Sequence, residues 1–294
     1  MKHVVVIGNF DGVHLAHQEL FNRARAIADA MDGQVVALTF DPHPAEVLAP
    51  HAAPPLLQPL DERLAAMAKA GVDVTVVEPF TIAFAHLSPQ DFFRTMLQER
   101  LHASAIVVGY DFTFGHKRAG TVHDLERFGR DANIRIEIVP AQFVDDELIS
   151  STHIRQLITA GMVERAAKLL GRPFTFTGKV QTGTGRGKDL GARTANIAVG
   201  ERLAPGSGVY VTTTQLAEEK DALASVTNVG VNPTFDGQER LIETHLLDAE
   251  RNLTGKTITV AFLERLRDEM KFANAQSLAA QIAKDIEDAR KRHG

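Results

Sequence analysis

The chain contains no cysteine. That absence excludes disulfide staples, thiolate nucleophiles, thiolate-bound zinc and iron-sulfur clusters. Tryptophan is also missing and only two tyrosines are present, so aromatic contacts fall largely to the 16 phenylalanines. Excess positive charge is lacking too. Lys and Arg number 32 against 37 Asp and Glu, a formal charge of -5, which disfavours a nucleic-acid scaffold held by bulk charge but allows a local anion pocket. Long apolar runs are absent. The opening Met1-Lys2-His3-Val4 leads into a stretch broken at Gly8 and Asn9, too short for a signal-peptide core or a membrane span, so the expectation is a cytoplasmic protein without a membrane partner.

What is present is an ordinary globular composition, 44% hydrophobic and 23% charged, over 294 residues, a length that favours two domains. In the first half, β-branched runs at 4–7, 35–40, 72–77, 106–108 and 134–139 alternate with helical spacing, as in Leu20, Ala24, Ile27, Ala28 and Met31, and a second helix is expected over 90–101. This predicts an α/β, Rossmann-like parallel sheet. Past Gly171-Arg172-Pro173, strands at 209–211, 225–229, 242–247 and 257–262 follow one another without helices, which predicts an antiparallel barrel. Leu278, Ile282 and Ile286 then mark a terminal helix packed on it. The expected domains are 1–172 and 173–294. Residues 1–172 hold 16 basic and 21 acidic side chains and the remainder 16 and 16, so the charge deficit lies in the first half.

Gly8-Asn9-Phe10-Asp11-Gly12-Val13-His14-Leu15-Ala16-His17 sits at a strand end and opens a helix. Backbone N–H groups and the positive helix end favour phosphate there, and glycines allow close approach. His14 and His17, three apart, project from one face of a first turn and can donate to phosphate oxygens as charge builds. A pair of solvated histidines is the plain alternative, outweighed by this placement. Zinc fits poorly, since the spacing is three and no nearby third ligand is evident. In Ile149-Ser150-Ser151-Thr152-His153-Ile154-Arg155, hydroxyls at a helix start and a fixed guanidinium suit phosphate, although an N-cap followed by a surface Arg has the same pattern. Gly178-Lys179-Val180-Gln181-Thr182-Gly183-Thr184-Gly185-Arg186-Gly187-Lys188 reads as a strand and a basic Gly-rich loop, without the Gly-Lys-Ser/Thr ending of a P-loop.

Over nearly the whole chain these segments resemble the prokaryotic bifunctional riboflavin kinase/FMN adenylyltransferases, the FAD synthetases. The first is similar to the nucleotidylyltransferase His-x-Gly-His signature, with Ala16 in place of Gly, and the second to Ser-Ser-Thr-x-Ile-Arg. Thr194-Ala195-Asn196 resembles the end of Gly-Phe-Pro-Thr-Ala-Asn, with Ala192 and Arg193 for Phe and Pro. Asn228-Val229-Gly230-Val231-Asn232-Pro233-Thr234-Phe235 and Ile242-Glu243-Thr244-His245-Leu246-Leu247-Asp248 continue the match, while Asn252-Leu253-Thr254-Gly255 lacks the family's Tyr.

The resemblance implies two ATP-dependent reactions: phosphorylation of riboflavin to FMN and adenylylation of FMN to FAD with release of pyrophosphate. It implies that His14, His17 and Arg155 serve the second reaction, with Gly8, Phe10, Asp11, Gly12, Ser151 and Thr152 on ATP and Asp41, Asp111 and Phe112 on the flavin. For the kinase it implies Glu243 as base, Gly183, Gly185, Arg186, Thr194 and Asn196 on ATP, and Thr194 and Asn196 on Mg2+. The partners expected are small molecules, with no nucleic acid and with weak self-association left open. A synthetase with a weakened kinase, and a flavin-binding regulator with vestigial sites, are the alternatives.

Overall fold

A computed structural model describes residues 2–181, 194–217, 219, 221–234, 237–249 and 251–293. By internal contacts the chain divides into two compact units, Met1–Ser151 and Thr152–Gly294.

The first unit is built on β1 (Lys2–Ile7), β2 (Gly33–Asp41), β3 (Val74–Pro79), β4 (Ala103–Gly109) and β5 (Arg135–Val139), all parallel, in the order β3-β2-β1-β4-β5. The helices are α1 (Leu15–Ala30), α2 (Pro44–Leu48), α3 (Leu60–Lys69), α4 (Ile82–Ala85), α5 (Pro89–Phe92) and α6 (Val122–Ala132). Both faces of the sheet are covered, which is why its strands read as continuous apolar runs. Val4, Val6, Val35, Ala37, Ala105 and Val107 pack against Leu20, Phe21, Ala24, Ile27 and Ala28 of α1 and Met67 of α3. Val5, Ile7, Leu38, Ile106 and Val108 pack on the other side against Phe92, Phe93, Met96, Leu97 and Leu125. Each large side chain fully buried in this way contributes about 1.5–3 kcal/mol.

The helix expected over 90–101 divides into α5 and a π-helical stretch, Phe93–Arg100, whose wider winding shows in the bond from the Leu101 N–H to the Met96 carbonyl. A short hairpin, β6 (Phe143–Val144) and β7 (Glu147–Leu148), precedes Ser151. The strand order reverses between β1 and β4, and a crevice at the carboxyl ends of strands flanking such a reversal is where α/β sheets take ligands.

Two helices come next, α7 (Ser151–Thr159), whose first residue is the last of the first unit, and α8 (Val163–Leu170), which belongs to the second. Six antiparallel strands follow: β8 (Phe174–Lys179), β9 (Thr194–Ala198), β10 (Gly208–Leu216), β11 (Leu223–Thr234), β12 (Gly237–Leu246) and β13 (Thr257–Arg267), ordered β8-β13-β10-β11-β12-β9. The sheet curls far enough for Gln181, just past β8, to bridge Asn196 of β9, with the Gln181 N–H donating to the Asn196 carbonyl at 2.8 Å. This is the antiparallel barrel the turn-separated strands predict. Arg265 of β13 ties the helices to the barrel, donating to the carbonyls of Ala160 (3.2 Å) and Ser207 (2.7 Å).

Inside the barrel, Thr212, Thr214, Ser225, Thr227 and Thr244 are all buried and linked by hydrogen bonds of 2.7–2.9 Å: Thr214–Ser225, Ser225–Thr212, Thr212–Thr227 and Thr227–Thr244. Each hydroxyl thereby meets the demand that burial places on a polar group. The terminal helix α9 (Ala275–His293) lays Ile286 and Ala289 on Val209, Val226 and Leu247, and Arg267 pairs with Asp285 at 2.9 and 2.6 Å.

Candidate functional site

In the first unit the site grows from the turn between β1 and α1. The Gly8 N–H donates to the Leu38 carbonyl, and a Cβ on Gly8 would stand 2.9 Å from the Phe10 ring, so glycine is required there. Phe10, Gly12 and Val13 have φ of 51, 86 and 41°. Left-handed backbone at a phenylalanine and a valine stores strain, about 1–3 kcal/mol each, that the surroundings must offset. Phe10 and Val13 do so partly by burial, and a turn bond joins the Val13 N–H to the Phe10 carbonyl.

The turn delivers His14 as the N-cap of α1. Its Nδ1 accepts the His17 N–H at 3.3 Å, so its proton lies on Nε2 and that nitrogen is a hydrogen-bond donor. His17 stacks on it, with centroids 3.6 Å apart and planes 17° from parallel, and receives the Phe10 ring edge-on at 5.4 Å. The Nδ1 of His17 is shut away from solvent without a hydrogen-bond partner among the described residues. Burial first, and the neighbouring His14 second, hold the His17 pKa well below the ordinary 6.5. Its imidazole is therefore neutral at neutral pH.

Asp11 is buried, and its carboxylate accepts the amides of Leu57 (3.0 Å to each oxygen) and Gln58 (3.2 Å). The side chain thus braces the 57–58 segment, while its main-chain carbonyl accepts the Ser151 hydroxyl at 2.9 Å. Ser151 opens α7, on which Thr152 is exposed and Arg155 half-buried. Asp41 is exposed at the end of β2. Asp111 is exposed and Phe112 half-buried in the turn after β4, where Phe112 stacks on Phe114 at 5.5 Å. Both segments lie at carboxyl ends of strands.

Sequence reasoning missed two features here. His43 caps α2 with its Nδ1 and lies 3.2 Å through Nε2 from the Asn9 amide. Arg63 of α3 is wholly buried and donates to the carbonyls of Asn9 and Phe40. The only sequence signal was a cation on the apolar stripe of α3, between Leu60 and Met67.

In the second unit, β9, β12 and β11 align Asn196, Glu243 and Asn228 as direct cross-strand partners, with Thr194 opposite His245. Cross-strand partners share a face, and so do residues two apart, so all five side chains lie together. It is the face opposite the buried Ala195, Ile242 and Thr244. Thr194 is exposed, whereas Glu243 and Asn196 are half-buried. The Asn196 Oδ1 is buried with no hydrogen-bond partner among the described residues. A row of hydroxyl, amide and carboxylate oxygens containing one unsatisfied acceptor is a donor set that fits a hard cation such as Mg2+. Gly183, Gly185 and Arg186, with Ala192 and Arg193, lie outside the described residues.

Comparison with known proteins gives a consistent picture. Residues 1–153 match the family model described as FAD synthetase, and residues 170–293 match that described as riboflavin kinase. A bifunctional riboflavin kinase/FMN adenylyltransferase of Listeria monocytogenes is 39% identical over 98% of this chain and 91% of its own length. The protein of the same description from Escherichia coli K12 is 35% identical over 99% and 93%. Among solved structures, one described as a macrolide-efflux protein from Streptococcus pneumoniae superposes with a TM-score of 0.88 at 33% identity, covering 98% of this chain and 94% of that one. Among the described residues no helix is long and apolar enough to cross a membrane.

Proposed function

Since the chain belongs to the bifunctional riboflavin kinase/FMN adenylyltransferase family, we propose that its two halves, 1–172 and 173–294, divide FAD synthesis between them, with the residues described above in named roles. The enzyme phosphorylates riboflavin to FMN and adenylylates FMN to FAD, using ATP in both steps. We assign adenylylation to 1–172 and phosphorylation to 173–294.

In adenylylation an FMN phosphate oxygen attacks the α-phosphorus of ATP and pyrophosphate leaves. The observation that carries the assignment is the stacked pair at the start of α1, where the Nε2–H of His14 is fixed as a donor by the cap bond of its own Nδ1. A preorganised donor of this kind stabilises charge that grows on phosphate oxygens. His17 holds the plane of His14, and the turn 10–13, left-handed at Phe10, Gly12 and Val13, shapes the backbone that the polyphosphate approaches. Gly8, Phe10, Asp11 and Gly12 shape that turn. Ser151, Thr152 and Arg155 are the further phosphate ligands we assign, and Asp41, Asp111 and Phe112 the flavin contacts.

In phosphorylation the riboflavin 5'-hydroxyl attacks the γ-phosphorus of ATP and ADP leaves. Glu243 orients that hydroxyl and takes its proton. Thr194 and Asn196 would hold Mg2+, which when bound neutralises phosphate charge. The row of polar side chains around Asn196 and the buried acceptor on it support an intact kinase over a weakened one. Gly183, Gly185 and Arg186 are assigned to ATP on the family resemblance alone. We place the enzyme in the cytoplasm, acting on small molecules without nucleic-acid or membrane partners.

Incubation with riboflavin, ATP and magnesium, followed by chromatography of the products, tests the whole reading. FMN followed by FAD is the expected result. FAD formed only from supplied FMN would restrict the activity to adenylylation, and tight flavin binding without release of ADP or pyrophosphate would overturn the reading.

A further inference from the structure

Arg63 is a cation in the wrong place for a merely solvated helix residue. It lies in the second turn of α3 and is 1% exposed, so its charge has been withdrawn almost entirely from water. No ion pair offsets that charge among the described residues; its contacts are two carbonyls, Asn9 from Nη1 and Phe40 from Nη2, each at 3.1 Å, and its Nε has no partner. Burial lowers its pKa, opposed by the more distant charges of Asp11, Asp41 and Glu46, and a guanidinium with so high an ordinary value stays ionised. A buried cation whose direct contacts are carbonyls, with carboxylates acting on it only from beyond ion-pair distance, is costly to keep.

The two carbonyls show what it is kept for. Asn9 lies in the turn after β1, immediately before Phe10, Gly12 and Val13 with their left-handed φ values, and Phe40 is the penultimate residue of β2, immediately before Asp41. One planar fork therefore ties together the two loops that leave adjacent parallel strands at the ligand-binding edge of the sheet. The Asn9 carbonyl also accepts the Thr39 hydroxyl at 3.2 Å, and Asp11 braces Leu57 and Gln58 just ahead of α3. Arg63 thus closes a ring of contacts that starts and ends on the turn carrying His14. It also places a positive charge beneath that turn in the half of the chain with the acidic excess.

We infer that Arg63 is a positioning residue for adenylylation, acting through the Asn9 and Phe40 carbonyls to hold the β1–α1 turn in its phosphate-binding shape. The inference rests on the adenylylation reading above. Its test uses the full chain, with FAD formation from supplied FMN and FMN formation from riboflavin measured on the same preparation. For Arg63→Met we expect kcat/KM for adenylylation to fall on the order of a hundredfold with the KM for ATP raised, because a turn displaced by a fraction of an ångström misaligns its donors. FMN formation stays within about twofold, since residues that share no interaction partners respond to substitution independently. Arg63→Lys, with one ammonium in place of a fork, recovers part of the loss.

A purely structural role predicts a lower unfolding midpoint and a smaller active fraction with the KM for ATP unchanged. That pattern in Arg63→Met would overturn the inference. Where Arg63→Met does not fold, wild-type KM and kcat in Arg63→Lys would overturn it, and a raised KM for ATP in that variant would support it. Absence of FAD from the unmutated chain would sink the adenylylation reading itself, and this inference with it.

Discussion

The imidazoles of His14 and His17 lie face to face, 3.6 Å between centroids, while the main chain of one hydrogen-bonds the ring of the other. One interaction thus caps a helix, selects a tautomer and aims a donor. His14→Asn can keep the cap but removes the Nε2–H. FAD formation should fall by about 10²–10³, with FMN formation unchanged; a product assay on both substrates checks this.

The depressed pKa of His17 makes stability depend on pH. The unfolded chain takes up a proton near the ordinary 6.5, and the folded chain only well below it. The contribution is therefore complete above about pH 6.5 and is lost as pH falls beneath it, by at most ~1.4 kcal/mol per pH unit. Thermal unfolding from pH 8 to pH 5 should show the midpoint of the first unit dropping on the acid side. His17→Gln should flatten that drop.

Asp11→Ala leaves the buried amides of Leu57 and Gln58 without their acceptor. The expected cost is about 3 kcal/mol, read as a shift in the urea midpoint. Asp11→Asn keeps one carbonyl oxygen and should fall between.

Asn196→Ala removes the buried acceptor proposed to face Mg2+. A magnesium titration of FMN formation should shift upward on the order of tenfold or more. Adenylylation of supplied FMN should keep its own magnesium dependence.

The core of the parallel sheet was legible because strands buried on both faces must be apolar at every position, as Val4, Val5, Val6 and Ile7 are. His14 and His17 were legible because a strand end, a glycine and a helix start lie next to one another in the chain. Arg63 was not, because its partners are 54 and 23 residues away and no local pattern marks them. The carboxylate of Asp11 was legible as part of the turn but not as a brace, for the same reason. The π-helical winding at Phe93–Arg100 departs from the 3.6-residue period on which helix reading depends. Strand β9 was hidden by its brevity and by the Gly-rich stretch before it.

The interior hydroxyls of the barrel have a consequence for the face they do not touch. Strand β12 turns Ile242, Thr244 and Leu246 inward, and alternation alone would accept a slip of two residues along β11, since the inward positions would remain inward. Such a slip would set Ile242 or Leu246 against Thr227 and break its bond to Thr244. Glu243 is the neighbour of Thr244, so the hydroxyl pair inside acts as a ratchet tooth for the carboxylate outside, indexing it against Asn228.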